Sequence, residues 1–217
     1  MNRVFQELTY HNLYRRCIMA SVAHAIMVGE YELLAAEQSW DGANYSFQNT
    51  EGVRGTISFG EECYVCVVQA SADCAEFEDS HISRLFWGAR KEIVKMAQEE
   101  ALQYTLIEYR GKAVPFISAA FWGDQDGNFS NQSELELINH SERAILPFLF
   151  DEKDALEYWR DYYEMNDAQI KMMIDIYERR IHTDGKMYLT AEERTQLEKW
   201  FDNMSECMES FRELSIL

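Results

Sequence analysis

By type and spacing, the residues most suited to chemistry are Cys63 and Cys66, followed by Cys74 and His81. A Cys-x-x-Cys pair is a common half-site for structural zinc, and a third thiol with an imidazole would complete a tetrahedral set. The residues between and after the pair argue against it. Tyr64, Val65, Val67 and Val68 read as a β-strand, on which positions three apart point to opposite faces. One thiol would then enter the core and the other would not, so buried structural thiols are expected. Zinc binding and a redox dithiol are the alternatives.

A second donor set, Asp124-x-Asp126-Gly127-Asn128-x-Ser130, resembles the opening of an EF-hand loop, with oxygen ligands at alternate positions. The resemblance breaks at the sixth position, where Phe129 replaces the turn glycine. It breaks again at the twelfth, where Leu135, flanked by Glu134 and Glu136, replaces the bidentate glutamate. A polar turn between two elements is expected. The histidines (His11, His24, His81, His140, His182) are isolated, and His24 lies beside an apolar helix face. No His-x-x-x-His spacing, Gly-x-Ser-x-Gly elbow or phosphate-cradling glycine loop is present. Catalytic groups that converge only in space leave no such spacing, so a small hydrolase or other enzyme stays as an alternative.

The remaining chemistry is charge. The 217 residues carry 38 acids and 20 bases, a formal net charge of −18. The 17 acids and 9 bases of residues 151–217 leave 21 and 11 for residues 1–150, so the body of the chain is acidic rather than a tail. Such a field repels phosphate backbones and anionic headgroups, which argues against direct nucleic-acid or membrane binding and favours basic partners. The densest stretch is Asp73, Glu76, Phe77, Glu78 and Asp79, where carboxylates surround one aromatic ring. With Glu61 and Glu62 in a nearby turn, these residues are the candidate partner-binding set: charge steers the encounter and the ring is buried. Adjacent acids such as Glu99-Glu100 and Glu192-Glu193 read as solvated positions.

The elements that would position these groups follow from periodicity. Thr9 to Gln38 predicts a long N-terminal helix, with Gly29 at a kink or close contact. Asn44–Asn49, Val53–Phe59 and Cys63–Ala70 predict a three-stranded antiparallel meander, because the intervening turns are too short for a crossover. A helix is expected over about 83–103 and extended chain over 113–122. Residues 133–150 are ambiguous: Ser133 and Glu136 form a capping box, whereas Ala144–Phe150 suits a buried strand. Asp151, Asn166 and Thr190 cap three C-terminal helices. In the last, Leu197, Phe201, Met204, Met208 and Phe211 form a continuous apolar seam.

The expected fold is α+β: a mainly antiparallel sheet from residues about 44–70 and 113–150, packed by the long N-terminal helix and a helical C-terminal third. It is read as a single domain over 1–217, with 151–217 a helical subdomain. The first residues show no apolar leader, no run approaches a membrane span, and the five scattered cysteines suit reduced thiols, so a cytoplasmic location is expected. No cofactor is implied. The functional expectation is a non-enzymatic, bacterial immunity-type inhibitor whose acidic surface occludes the basic active site of a toxin such as a nuclease. A nucleic-acid mimic and a metal-binding protein are further alternatives.

Overall fold

Strict alternation in Asn44–Gln48 and Arg54–Phe59 puts Tyr45, Phe47, Ile57 and Phe59 on one side and Asn44, Ser46, Thr56 and Ser58 on the other, and the sheet is built on that division. The computed structural model describes residues 1–70 and 81–217. In chain order its elements begin with β1 (Asn2–Arg3), α1 (Tyr10–Met27), β2 (Gln38–Asp41), β3 (Asn44–Gln48), β4 (Arg54–Phe59) and β5 (Tyr64–Gln69). There follow α2 (His81–Leu85), α3 (Lys91–Glu99), β6 (Leu106–Tyr109), β7 (Lys112–Pro115), β8 (Ala119–Asp124) and β9 (Gly127–Ser130). The rest is helical: α4 (Glu134–His140), α5 (Leu146–Leu149), α6 (Glu152–Tyr162), α7 (Asp167–Ile181), α8 (Ala191–Trp200) and α9 (Ser205–Glu213). The fold is α+β, with a seven-stranded sheet in the order β1-β9-β8-β5-β4-β3-β2 and a separate β6–β7 hairpin.

The chain forms two compact units, residues 1–12 with 41–149 and residues 13–40 with 150–217. In the first, the expected meander is present as β3–β4–β5, and β8 extends it antiparallel on β5. Val65, Val67, Ala120 and Trp122 share one face and pack with Phe86 and Ile93 from the α2–α3 segment. In the second, α1 belongs with the C-terminal helices, and its residues from Arg16 to Met27 are all buried. Within that unit, Trp40 donates its indole N–H to Ser21 Oγ at 2.8 Å, and Cys207 Sγ approaches the Ile26 carbonyl at 3.6 Å. No helix of the described residues is long and apolar enough to cross a membrane.

Four expectations need correction. The sheet stops at Ser130, and residues 133–150 supply no strand. Ser133 caps α4 in a full capping box, and the segment expected as a strand contains α5. Glu142 and Arg143 take left-handed backbone (φ 47° and 67°) and redirect the chain, after which Pro147 sits in a first helical turn, where its missing N–H costs nothing. The N-terminal helix ends at Met27 rather than Gln38. The helix expected over 83–103 is interrupted at Gly88, whose φ of +82° is left-handed. The last apolar seam spans two helices, because Phe201 is extended and Asn203 Oδ1 accepts the Ser205 N–H at 3.0 Å, starting α9 afresh.

Gly29, just past the end of α1, is needed for packing. A Cβ there would lie 2.7 Å from Phe201 Cγ and 2.8 Å from Cys207 Sγ, inside the same helical unit. Gly29→Ala should therefore lower unfolding stability by about 1–3 kcal/mol through overpacking. Chemical denaturation checks this, and a wild-type midpoint would show that the helices have room to part.

Candidate functional site

The polar side of β3 and β4 does not face water. Thr56 and Ser58 are each 1% exposed and Asn44 is 7% exposed. Register pairs them across the strands as Asn44 with Ser58, Ser46 with Thr56, and Gln48 with Arg54. Two of these pairs find partners within the protein. Ser46 Oγ and Thr56 Oγ1 bond at 3.2 Å, and Arg54 bonds Gln69 on β5. The third pair does not. Asn44 Oδ1 and Ser58 Oγ are buried without a hydrogen-bond partner among the described residues. Buried polar atoms are almost always bonded, and leaving one unpaired costs about 1–3 kcal/mol.

These two atoms belong to residues lining a groove of about 580 Å³ in the sheet-containing unit. One wall is a face of α3, where Glu92, Lys95, Met96 and Glu99 recur at helical spacing. The other is the 41–44 turn with Ser58 and Phe59, and Glu100 and Tyr104 close the end. Four lining carboxylates (Asp41, Glu92, Glu99, Glu100) face one base, Lys95, which pairs weakly with Glu99 at 3.7 Å. The Tyr104 hydroxyl donates to Asp41 Oδ2 at 2.7 Å, and Asn44 Nδ2 donates to Glu100 Oε2 at 2.9 Å. That second bond fixes the amide orientation, so the unpaired Asn44 atom is the acceptor. Burial first, then the hydrogen bond and charge of Asp41, push the Tyr104 phenol up to about 12, so it stays a neutral donor. The arrangement concentrates negative potential over two unused acceptors, which suits a cation that carries N–H donors.

The sequence-selected residues do not form this groove. Glu61 and Glu62 are exposed in the β4–β5 turn and do not line it; Glu62 accepts from the Gln125 amide. Asp73, Glu76, Phe77, Glu78 and Asp79 lie outside the described residues, as does Cys74. Cys66 is buried on β5 and Cys63 half-buried in the preceding turn, and burial is the main cause pushing both thiols up, away from the reactive thiolate. His81 is committed to the Ile117 carbonyl at 2.8 Å. Among the described residues no group of three His, Cys, Asp or Glu side chains is placed to hold a metal ion. The Asp124 segment is the tight β8–β9 hairpin. Asp124 Oδ1 accepts the Asp126 N–H at 2.8 Å, Arg90 pairs with both aspartates, and the Asn128 amide turns inward to Tyr64, Phe5 and Leu8.

The helical unit holds a second buried polar cluster. The Tyr162 hydroxyl reaches both oxygens of buried Glu37 at 2.8 and 2.9 Å, and His24 Nδ1 lies 3.1 Å from the Tyr163 hydroxyl. Burial raises the Glu37 carboxyl above the usual carboxylate range, and it holds His24 down at about 4. One tyrosine ties α6 to the segment before β2 and the next ties its end to α1, with His24 Nε2 left buried and without a partner among the described residues.

Compared with known proteins, the chain matches no family model, no curated protein and no solved structure.

Two outcomes follow from these clusters. Ser58→Ala removes an unpaired buried hydroxyl, so stability should fall by less than about 0.5 kcal/mol or rise by up to about 1 kcal/mol. A loss of about 2 kcal/mol in chemical denaturation would mean that the hydroxyl is bonded in solution. For His24, the folded pKa of about 4 lies below the free value of 6.5. The unfolded chain then binds more protons below pH 6.5, and about 2 kcal/mol of stability is lost between pH 7 and 5 through this group. Glu37 acts in the opposite sense, because its raised pKa makes ionisation costly and acid restores the neutral form. Comparison with His24→Gln isolates the imidazole: the variant should lose less stability on going to pH 5, and equal losses would rule out a buried neutral histidine.

Proposed function

We propose that the chain is a protein-binding inhibitor rather than an enzyme, and that its groove receives cationic side chains of a basic protein partner. The observation that carries this reading is the groove itself: four carboxylates against one lysine, above a floor with two unused acceptors. The net charge of −18 supports it by giving the whole body a field that draws in positive surfaces. In its most concrete form, the chain is an immunity-type inhibitor that occludes the active site of a toxin such as a nuclease. A nuclease must keep its substrate channel cationic to hold phosphates, and an acidic body covers such a channel both sterically and electrostatically. The reading places the chain in the cytoplasm of a bacterium, beside the toxin it neutralises. A nucleic-acid mimic would use the same field against a DNA- or RNA-binding protein.

The test is titration against the basic protein encoded by the adjacent gene, together with its nuclease activity. The complex should form at low salt, suppress that activity, and weaken as salt rises. Replacing Asp41→Asn, Glu92→Gln and Glu99→Gln together should slow association about tenfold or more and flatten the salt dependence. These residues are exposed, so the variant should remain folded. No complex at low salt, or one indifferent to both salt and the triple variant, would sink the proposal.

A further inference from the structure

We infer that the groove recognises a guanidinium group, an arginine side chain of the partner, rather than positive charge in general. The inference rests on the acidic-groove reading above and adds a chemical specificity to it. Three observations carry it. The polar cross-strand pairs Ser46–Thr56 and Arg54–Gln69 bond within the sheet, so unpaired groups are not a general property of this face. Asn44 and Ser58, directly opposite one another on β3 and β4, present acceptors that bond neither to each other nor to any described residue. Those acceptors lie under a rim of carboxylates at the end where Asp41 and Glu100 are already oriented by Tyr104 and Asn44.

A cation that fills this site must offer several N–H donors in different directions and give up much of its water. An ammonium has three donors on one strongly hydrated atom, whereas a guanidinium carries five in a plane and is weakly hydrated. Once the side chains covering them part, its edge can donate to Asn44 Oδ1 and Ser58 Oγ while its remaining N–H groups meet the carboxylates. Met96 supplies apolar surface for the alkyl stem. A divalent metal would instead need several oxygens converging on one point, and no such group of three acids is found among the described residues.

The experiment is calorimetric titration of the full chain with oligo-arginine, oligo-lysine and oligo-citrulline peptides of equal length, at low salt. Oligo-arginine should bind tighter than oligo-lysine by about tenfold, and oligo-citrulline, which keeps the shape without the charge, should not bind measurably. Ser58→Ala should weaken oligo-arginine about five- to tenfold, the scale of one lost hydrogen bond, and leave oligo-lysine nearly unchanged. Glu99→Gln, an exposed change that spares the buried floor, should weaken both peptides, which keeps the test decisive even if the floor variant folds poorly. Equal affinity for arginine and lysine peptides would overturn the guanidinium inference and leave the acidic-groove reading standing. Binding untouched by either variant would locate the interaction elsewhere on the acidic body and overturn it as well. If neither cationic peptide binds, the inference and the reading beneath it both fail.

Discussion

The register of the β3–β4–β5–β8 ladder is the constraint on which the sheet-containing unit depends. Side chains alternate with a period of two, so one register decides at once which row packs and which row stays polar. Ser58 opposite Val65 and Val65 opposite Trp122 make a row that runs from hydroxyl to indole across three strands. At the β5–β8 end this row meets the α2–α3 segment and closes as core. At the β3–β4 end the same face carries Asn44, Ser46, Thr56 and Ser58, and α3 lines it with Glu92, Lys95 and Glu99 beside the single apolar Met96. The groove is therefore a consequence of register. Slipping β4 by one residue would bring Ile57 and Phe59 to this face, fill the space and abolish the acceptors.

Charge and burial act on that groove in opposite senses. Acids on the rim are solvated and cost little, and salt weakens their field over a distance of roughly 10 Å. The floor is different: the unpaired Asn44 and Ser58 atoms are withdrawn from water. A chain selected for stability alone would accept alanine or valine at Ser58, because β-branched and small apolar residues suit a buried strand and leave no polar atom behind. Natural proteins retain such costs mainly where a site uses them. In the helical unit Tyr162 bonds Glu37 and Tyr163 bonds His24 Nδ1, although His24 Nε2 is buried without a hydrogen-bond partner among the described residues.

Much of the fold was legible because its signals are local. Ser133, Asp151, Asn166 and Thr190 each start the helix their side chains can cap, and the Val-rich run after Cys63 is the strand its composition demands. What was not legible depends on tertiary contact. Leu197 to Phe211 keeps helical spacing straight through a break that Asn203 makes by bonding Ser205. Ala144–Phe150 has a strand's composition, yet its course is set by two consecutive left-handed residues that no propensity favours. In each, a side-chain hydrogen bond or a turn overrode the local pattern.

The site was hidden for a related reason. Cys63, Cys66 and the Asp124 segment attract attention because their residue types are rare or clustered, but the register sends Cys66 inward and Arg90 pairs with both aspartates. The groove is assembled instead from ordinary residues in four stretches, Asp41–Asn44, Ser58–Phe59, Glu92–Glu100 and Tyr104. One signal was present in the sequence: β3 and β4 alternate polar and apolar residues as half-exposed strands do, although β4 sits inside a meander flanked on both sides. An inner strand can keep a polar face where its side chains bond one another, as Ser46 and Thr56 do, and the Asn44–Ser58 pair does not. That mismatch between a polar pattern and a central position locates Ser58 and Asn44 more directly than any chemical motif does.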